Sequence, residues 1–329
     1  MHTYQLDIGV WRDDVIESTH RVHAAVVAAD GRLIAGARDP ELVTFWRSCA
    51  KPFQAMTLIE SGGFDQLGWS EDQLALACAS HGGEPEHVSV AAGMLADVGL
   101  EEGDLACGPH EPLTARGSRL LRESGTRLTR LHNNCSGKHA AMLAYAQTSG
   151  LPLAGYEHRD HAVQNAAAQQ VARWTGVPAA SLKLATDGCG VVVFGLPLRN
   201  MALAYARLAD AYAMDAEVPT QIVDAIRDRP FLFAGTDRFD TVLLEATHGN
   251  VVAKIGAEGV HTAAVLDLRI GVAVKAEDGA QRAQYPALLR ALQHVGALSD
   301  PIPPRLAEFL VKPVRNTRGE VVGRVEAMA

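Results

Sequence analysis

The sequence predicts an α/β (α+β) sandwich, in which an antiparallel sheet built from both chain ends carries helices on its faces. Three observations predict this class. The 329 residues are 48% apolar and 21% charged and their mean hydropathy is +0.02, which is enough apolar surface for a large core and too little charge for intrinsic disorder. Short β-branched runs gather near both termini. Between them, over about residues 50–230, the apolar period becomes helical. No repeat, low-complexity tract or linker interrupts the chain, so we expect one domain over residues 1–329 with a largely helical middle.

Each element has a local reason. Val22–Ala29 and Arg32–Ala37 flank Asp30-Gly31, which favours a tight hairpin turn. Phe53–Ile59 is an apolar helical run. Ser70-Glu71-Asp72-Gln73 has capping-box spacing and opens a helix to about Cys78. Glu86–Val98, Ala115–Glu123, Gly137–Gln147, His161–Thr175, Met201–Tyr212 and Thr220–Arg227 follow with helical period, and Gln281–Val295 comes later. Gly150, Gly176 and Gly296 stand where helices stop. Val251–Ile255, Thr262–Asp267 and Ile270–Lys275 read as strands, and a last pair, Lys312–Asn316 and Glu320–Val325, brackets Arg318-Gly319. Neither terminal set has enough neighbours alone, so strands from both ends are expected in one sheet.

Composition excludes several function classes. A net charge of -8 argues against nucleic acid as a partner, because phosphate binding needs a basic face. The first twenty residues carry acidic side chains and no apolar core of a secretory signal, and no apolar run approaches the ~18–20 residues of a membrane span. Five cysteines, Cys49, Cys78, Cys107, Cys135 and Cys189, form an odd, thinly spread set. That suits reduced thiols or metal ligands in the cytoplasm better than a disulfide framework. The basic residues divide into 24 Arg and only 6 Lys, so the positions that keep lysine invite a chemical reason.

Five segments concentrate reactive side chains. In Arg47-Ser48-Cys49-Ala50-Lys51-Pro52-Phe53, Ser48 and Lys51 are three apart, which at a helix start sets hydroxyl and amine on one face. That is the Ser-x-x-Lys pattern of serine hydrolases, in which an uncharged lysine takes the serine proton; a capping serine beside a solvated lysine has the same spacing. Cys78–Glu84 ends a helix in a glycine turn that presents Ser80 and His81, or is a plain helix stop. Asn133–His139 opens a helix, and Asp187-Gly188-Cys189-Gly190 makes a tight turn. Cys135 and Cys189 suit zinc, with His139 at i+4 from Cys135 the generic third ligand and Lys138 an unusual one; buried thiols packed as small hydrophobes are the alternative. Lys254-Ile255-Gly256 on an edge strand has the layout of serine β-lactamases and penicillin-binding enzymes, with Gly256 leaving room for close approach of a substrate.

Taken in order, Arg47–Phe53, Cys78–Glu84, Asn133–His139, Asp187–Gly190 and Lys254–Gly259 resemble the zinc-associated type II asparaginases of the Rhizobium kind, also called class 3. The resemblance runs from about Val10 to Arg269. It implies a serine β-lactamase-like fold, hydrolysis of L-asparagine to L-aspartate and ammonia, one Zn2+ per chain and a homodimer. Carried over by residue, it implies Ser48 as nucleophile and Lys51 as base, and Ser80 with Lys254 as a second Ser–Lys pair. It implies Cys135, Lys138 and Cys189 as zinc ligands, in place of the generic choice of His139. Arg47, His139 and Asp187 match residues around the substrate, and the backbone N–H groups of Ser48 and of Ala257 on the strand are expected to hold the oxyanion.

Rival readings are a glutaminase or another Ser–Lys amidohydrolase, a zinc-bound water acting directly, and a zinc-binding scaffold without catalysis. Half of the six lysines, Lys51, Lys138 and Lys254, fall on the expected base, metal ligand and second-pair cation. The first two jobs require an amine that can release its proton, which arginine cannot do.

Overall fold

The computed structural model describes residues 2–328. The chain divides into two compact units. A sheet unit comprises residues up to Cys49, Leu196–Met214 and the C-terminal stretch from Val242, and a helical unit comprises Ala50–Gly195 and Asp215–Thr241.

The sheet unit confirms that strands from both chain ends share a sheet. Six strands lie in the order His2–Thr3, Leu33–Ala37, Val22–Ala28, Ile270–Ala276, Val260–Val265 and Val251–Ile255. All neighbours are antiparallel except His2–Thr3, which runs parallel to Leu33–Ala37. Val22–Ala28 pairs with Ile270–Ala276 over seven residues, Val22 opposite Ala276 and Ala28 opposite Ile270. This ladder joins the two chain ends. Every residue of Ile270–Ala276 is buried. Side chains alternate between faces, so both faces are covered, which explains the apolar run Ile270–Val274 that precedes the buried Lys275. Helices Leu198–Ala213 and Gln281–His294 pack on this sheet. The alanine-rich first of these lies so close that a methyl group at Gly271 would overlap the Ala202 carbonyl.

Not every expected strand belongs to that sheet. The C-terminal pair, Lys312–Arg315 and Val321–Ala327, joins Ile8–Arg12 and Val15–His20 in a separate four-stranded sheet. Val15–His20 is mostly exposed, so it lacks the apolar alternation by which strands are read from sequence.

In the helical unit, helix Lys51–Glu60 is central. Eight of its ten residues are buried, Lys51 among them, which marks a helix enclosed on all sides rather than an amphipathic surface helix. Helices Glu71–Cys78, Ser136–Thr148, Ala162–Thr175 and Glu217–Asp228 pack around it. The expected capping box is present: the Ser70 hydroxyl accepts from Asp72 N, and Gln73 returns a bond to Ser70 N at 3.0 Å, a device that stabilises a helix start by about 1 kcal/mol. An antiparallel hairpin, Lys183–Thr186 with Val192–Pro197, carries the Cys189 turn. Short helices at Gly63–Leu67 and Pro230–Phe233 escape sequence reading, being too short to show a period. Among the described residues no helix is long and apolar enough to cross a membrane.

Candidate active site

The sheet unit holds Arg47, Ser48, Lys254 and Ala257. Ser48 is half-buried in the 3₁₀ turn Arg47–Ala50. This turn runs directly into helix Lys51–Glu60, with Ala50 already helical at φ -78° and ψ -12°, so Ser48 and Lys51 are one turn apart along the chain. Arg47 enters the turn at φ 53°, a left-handed conformation that a residue with a Cβ adopts at a cost of about 1 kcal/mol. The turn is fixed from below. The Cys49 thiol donates to the Lys254 carbonyl at 2.9 Å and the Tyr205 hydroxyl donates to the Cys49 carbonyl at 2.8 Å. Lys254 is buried on the edge strand Val251–Ile255, opposite Thr262, and its Nζ donates to the Ile255 carbonyl at 3.0 Å.

Two expectations need correction here. Gly256 does not leave room for a substrate: a Cβ on it would stand 3.0 Å from Cys49 Sγ, 3.1 Å from the Val260 carbonyl and 3.2 Å from the Trp46 carbonyl. The missing side chain admits the turn that carries Ser48. Ala257 is not on the strand, which ends at Ile255; it lies exposed in the connection to Val260–Val265. Gly256→Ala is therefore expected to push the Cys49 turn by a few tenths of an ångström, lowering kcat about tenfold with little change in KM. Steady-state kinetics check this, and a kcat within twofold of the parent would show that the close packing has no catalytic consequence.

The helical unit holds Lys51, Ser80, Cys135, Lys138, His139, Asp187 and Cys189. Lys51 Nζ lies 2.5 Å from the Ala79 carbonyl, 3.3 Å from the Asn134 carbonyl and 3.1 Å from Ser80 Oγ. Two carbonyl oxygens and one hydroxyl oxygen thus surround the buried amine. Ser80 belongs to the loop Ala79–Glu84, every residue of which is buried, and such a loop must find partners for its backbone internally. His81 N donates to the Asn134 carbonyl at 3.3 Å, and the Gly82 carbonyl accepts from Leu113 N at 2.9 Å. The His81 imidazole is part of this scaffold. Its Nδ1 accepts from Gly83 N at 3.2 Å, so its Nε2–H donates to Ser136 Oγ at 2.9 Å. Burial first, then the neighbouring His87 and Lys51 charges, hold it neutral, well below its usual pKa.

The expected metal ligands converge. Cys135 caps the N-terminus of helix Ser136–Thr148, and Lys138 lies on its first turn. Cys189 sits in the hairpin turn, where Gly190 takes φ 97° and its N–H closes on the Asp187 carbonyl at 2.9 Å. Only glycine adopts that conformation readily. Lys138 Nζ donates to Cys189 Sγ at 2.9 Å. The Cys135 thiol also hydrogen-bonds Cys189, which draws Cys189 below the usual thiol range against its burial, with Lys138 adding to the effect. The same hydrogen bond, then burial, pushes Cys135 up. Burial works against a charged Lys138, and the Cys189, Cys135 and Asp187 charges overcome it. Among the described residues no three His, Cys, Asp or Glu side chains converge in this way; two thiols and an amine do.

His139 Nδ1 lies 2.6 Å from the Tyr156 hydroxyl, which also accepts the Ala106 N–H at 2.9 Å. Burial, then Lys138, lowers the ring's pKa to about 3. His139 Nε2 is buried without a partner among the described residues. Nothing in the sequence pointed to Tyr156, which lies in a connection with no motif around it. Asp187 is half-buried, and its Oδ2 lies 3.8 Å from Cys189 Sγ.

The profile of the L-asparaginase II family matches residues 8–327. No protein of curated function matches the sequence. Among solved structures, the chain is similar to Mglu in its native form, with 15% identity and a TM-score of 0.45 over 84% of this chain and 64% of Mglu. It therefore spans less than two thirds of that protein's length. It is similar also to a probable glutaminase from Bacillus subtilis complexed with 6-diazo-5-oxo-L-norleucine, with 12% identity and a TM-score of 0.39 over 83% of each chain. A β-lactamase from Mycobacterium bovis is similar with 14% identity and a TM-score of 0.41, over 84% of this chain and 95% of that one.

Proposed function

We propose that this chain, which belongs to the L-asparaginase II family, hydrolyses the side-chain amide of L-asparagine to L-aspartate and ammonia through an ester on Ser48. The setting of Lys51 carries this reading: a buried amine held by the Ala79 and Asn134 carbonyls and the Ser80 hydroxyl, one turn from Ser48 along the chain, is fixed where it can act on a hydroxyl proton once neutral. Lys51 takes the Ser48 proton as Ser48 Oγ bonds to the amide carbon. Backbone N–H groups, with that of Ser48 first among them, hold the developing oxyanion. The proton passes to the leaving nitrogen, ammonia departs, and water cleaves the ester. Ser80, 3.1 Å from Lys51 Nζ, holds the amine in register, and Ser80 and Lys254 are assigned the second Ser–Lys role that the resemblance implies. His139, through its unpartnered Nε2, and Asp187 receive polar groups of the substrate, and Arg47 shapes the turn that presents Ser48.

Cys135, Lys138 and Cys189 fit a zinc ion by the chemistry of their donors, two thiols and an amine already within hydrogen-bond reach of one another. Bound there, zinc supplies a fixed positive charge that orients the polar end of the substrate.

Ammonia release by the purified chain from L-asparagine and L-glutamine, with metal content measured alongside, tests the reading. Asparagine is expected to exceed glutamine in kcat/KM by about 10-fold or more, the discrimination available from one methylene. One zinc per chain is expected in the parent and none in Cys189→Ser. Glutamine preference would assign the chain to the glutaminase alternative, and no ammonia from either amide would overturn the function.

A further inference from the structure

We propose that Arg238 receives the α-carboxylate of the amino-acid substrate; this rests on the amidohydrolase reading above and names one determinant of its specificity. Three observations within the helical unit support it.

The segment that carries Arg238 is built against the Ser80 loop. Gly235 takes φ 128°, and a Cβ on it would stand 3.0 Å from Glu84 Oε1 and 3.3 Å from Gly82 Cα, so only glycine allows this approach. Thr236 N–H donates to Glu84 Oε1 and its hydroxyl to Glu84 Oε2, both at 2.8 Å. Glu84 is itself completely buried, and Arg116 Nη1 at 2.5 Å is its third donor. A buried carboxylate satisfied by three donors is a rigid anchor. It ties Gly235 and Thr236 to the loop whose Ser80 meets Lys51.

Arg238 stands apart from the other half-buried arginines of this unit. Arg116 is committed to Glu84 and Glu86, Arg227 to Asp224, Arg229 to Asp72 and Glu71, and Arg130 to the Gly103 and Leu105 carbonyls. Arg238 is half-buried, and among the described residues no carboxylate lies within ion-pair distance of it. Its backbone N–H closes a turn on the Gly235 carbonyl at 3.3 Å. Its charge also reaches the neighbourhood of the loop, being one of those that, after burial, keep His81 neutral. A guanidinium partly removed from water without an anion is costly, and its planar fork matches a carboxylate in two parallel hydrogen bonds.

Asparagine differs from 3-aminopropanamide only by its α-carboxylate, so these two amides separate the role. Ammonia release is measured for the parent, Arg238→Gln and Arg238→Lys on both. Arg238→Gln is expected to raise KM for asparagine at least about 30-fold, the loss typical of truncating one partner of a buried charged pair. Its kcat is expected to stay within a few-fold, and its melting temperature to match the parent. The fall in kcat/KM is expected to be far larger for asparagine than for 3-aminopropanamide, and Arg238→Lys is expected to restore part of it. An unchanged KM for asparagine in an active Arg238→Gln enzyme, or equal losses on both amides, would overturn the assignment alone. A parent inert on asparagine and glutamine would overturn the amidohydrolase reading with it.

Discussion

Replacing Ser48 with alanine is expected to lower the turnover of asparagine by about 10⁴-fold or more, the loss seen when a covalent nucleophile is removed. The turn that carries it should survive. Its fixed points are the Cys49 thiol on the Lys254 carbonyl and the Tyr205 hydroxyl on the Cys49 carbonyl, and neither uses the Ser48 side chain. Losing one oxygen from a half-buried position should change stability by no more than about 0.5–1 kcal/mol. Kinetics together with thermal melting therefore separate a chemical effect from a folding one. An Ser48→Ala enzyme that releases ammonia near the parent rate would rule out the ester route.

Lys51→Arg is expected to be nearly as damaging as Lys51→Ala, each losing about 10³–10⁴-fold in kcat. Two physical reasons act together. A guanidinium does not release its proton in a protein, so it cannot act as base. The site also offers two carbonyls and one hydroxyl to Nζ, whereas a guanidinium brings five N–H groups. Several would be buried unpaired, at about 1–3 kcal/mol each, so a lower melting temperature is expected as well. Lys51→Met, similar in length and uncharged, provides the control: it should melt closer to the parent and yet be inactive. An active Lys51→Arg enzyme would remove Lys51 from the role of base.

Much of the local structure was legible in the sequence because helix and strand periods, caps and glycine stops act over a few residues. The Ser70 capping box, the buried helix after Ser48 and the paired strands at both ends are of this kind. The cluster of Cys135, Lys138 and Cys189 was legible only through a family resemblance, since generic chemistry favours His139. The contact that positions His139, its Nδ1 at 2.6 Å from the Tyr156 hydroxyl, has no signature in the sequence. Gly256 was legible as a demand for space, but what fills the space is the Cys49 turn.

The sequence by itself determined the fold class, the order of the elements, the family and the residue types the chemistry requires, because each depends on local period or on motif spacing. Only the tertiary structure decided which groups meet. The Lys51 amine reaches a carbonyl 83 residues away, Lys138 reaches a thiol 51 residues away, and Glu84 holds a segment 152 residues away. Such contacts carry no signature at either end of the chain segment. They follow from which buried faces pack together, and from the requirement that every polar group enclosed by that packing find a partner.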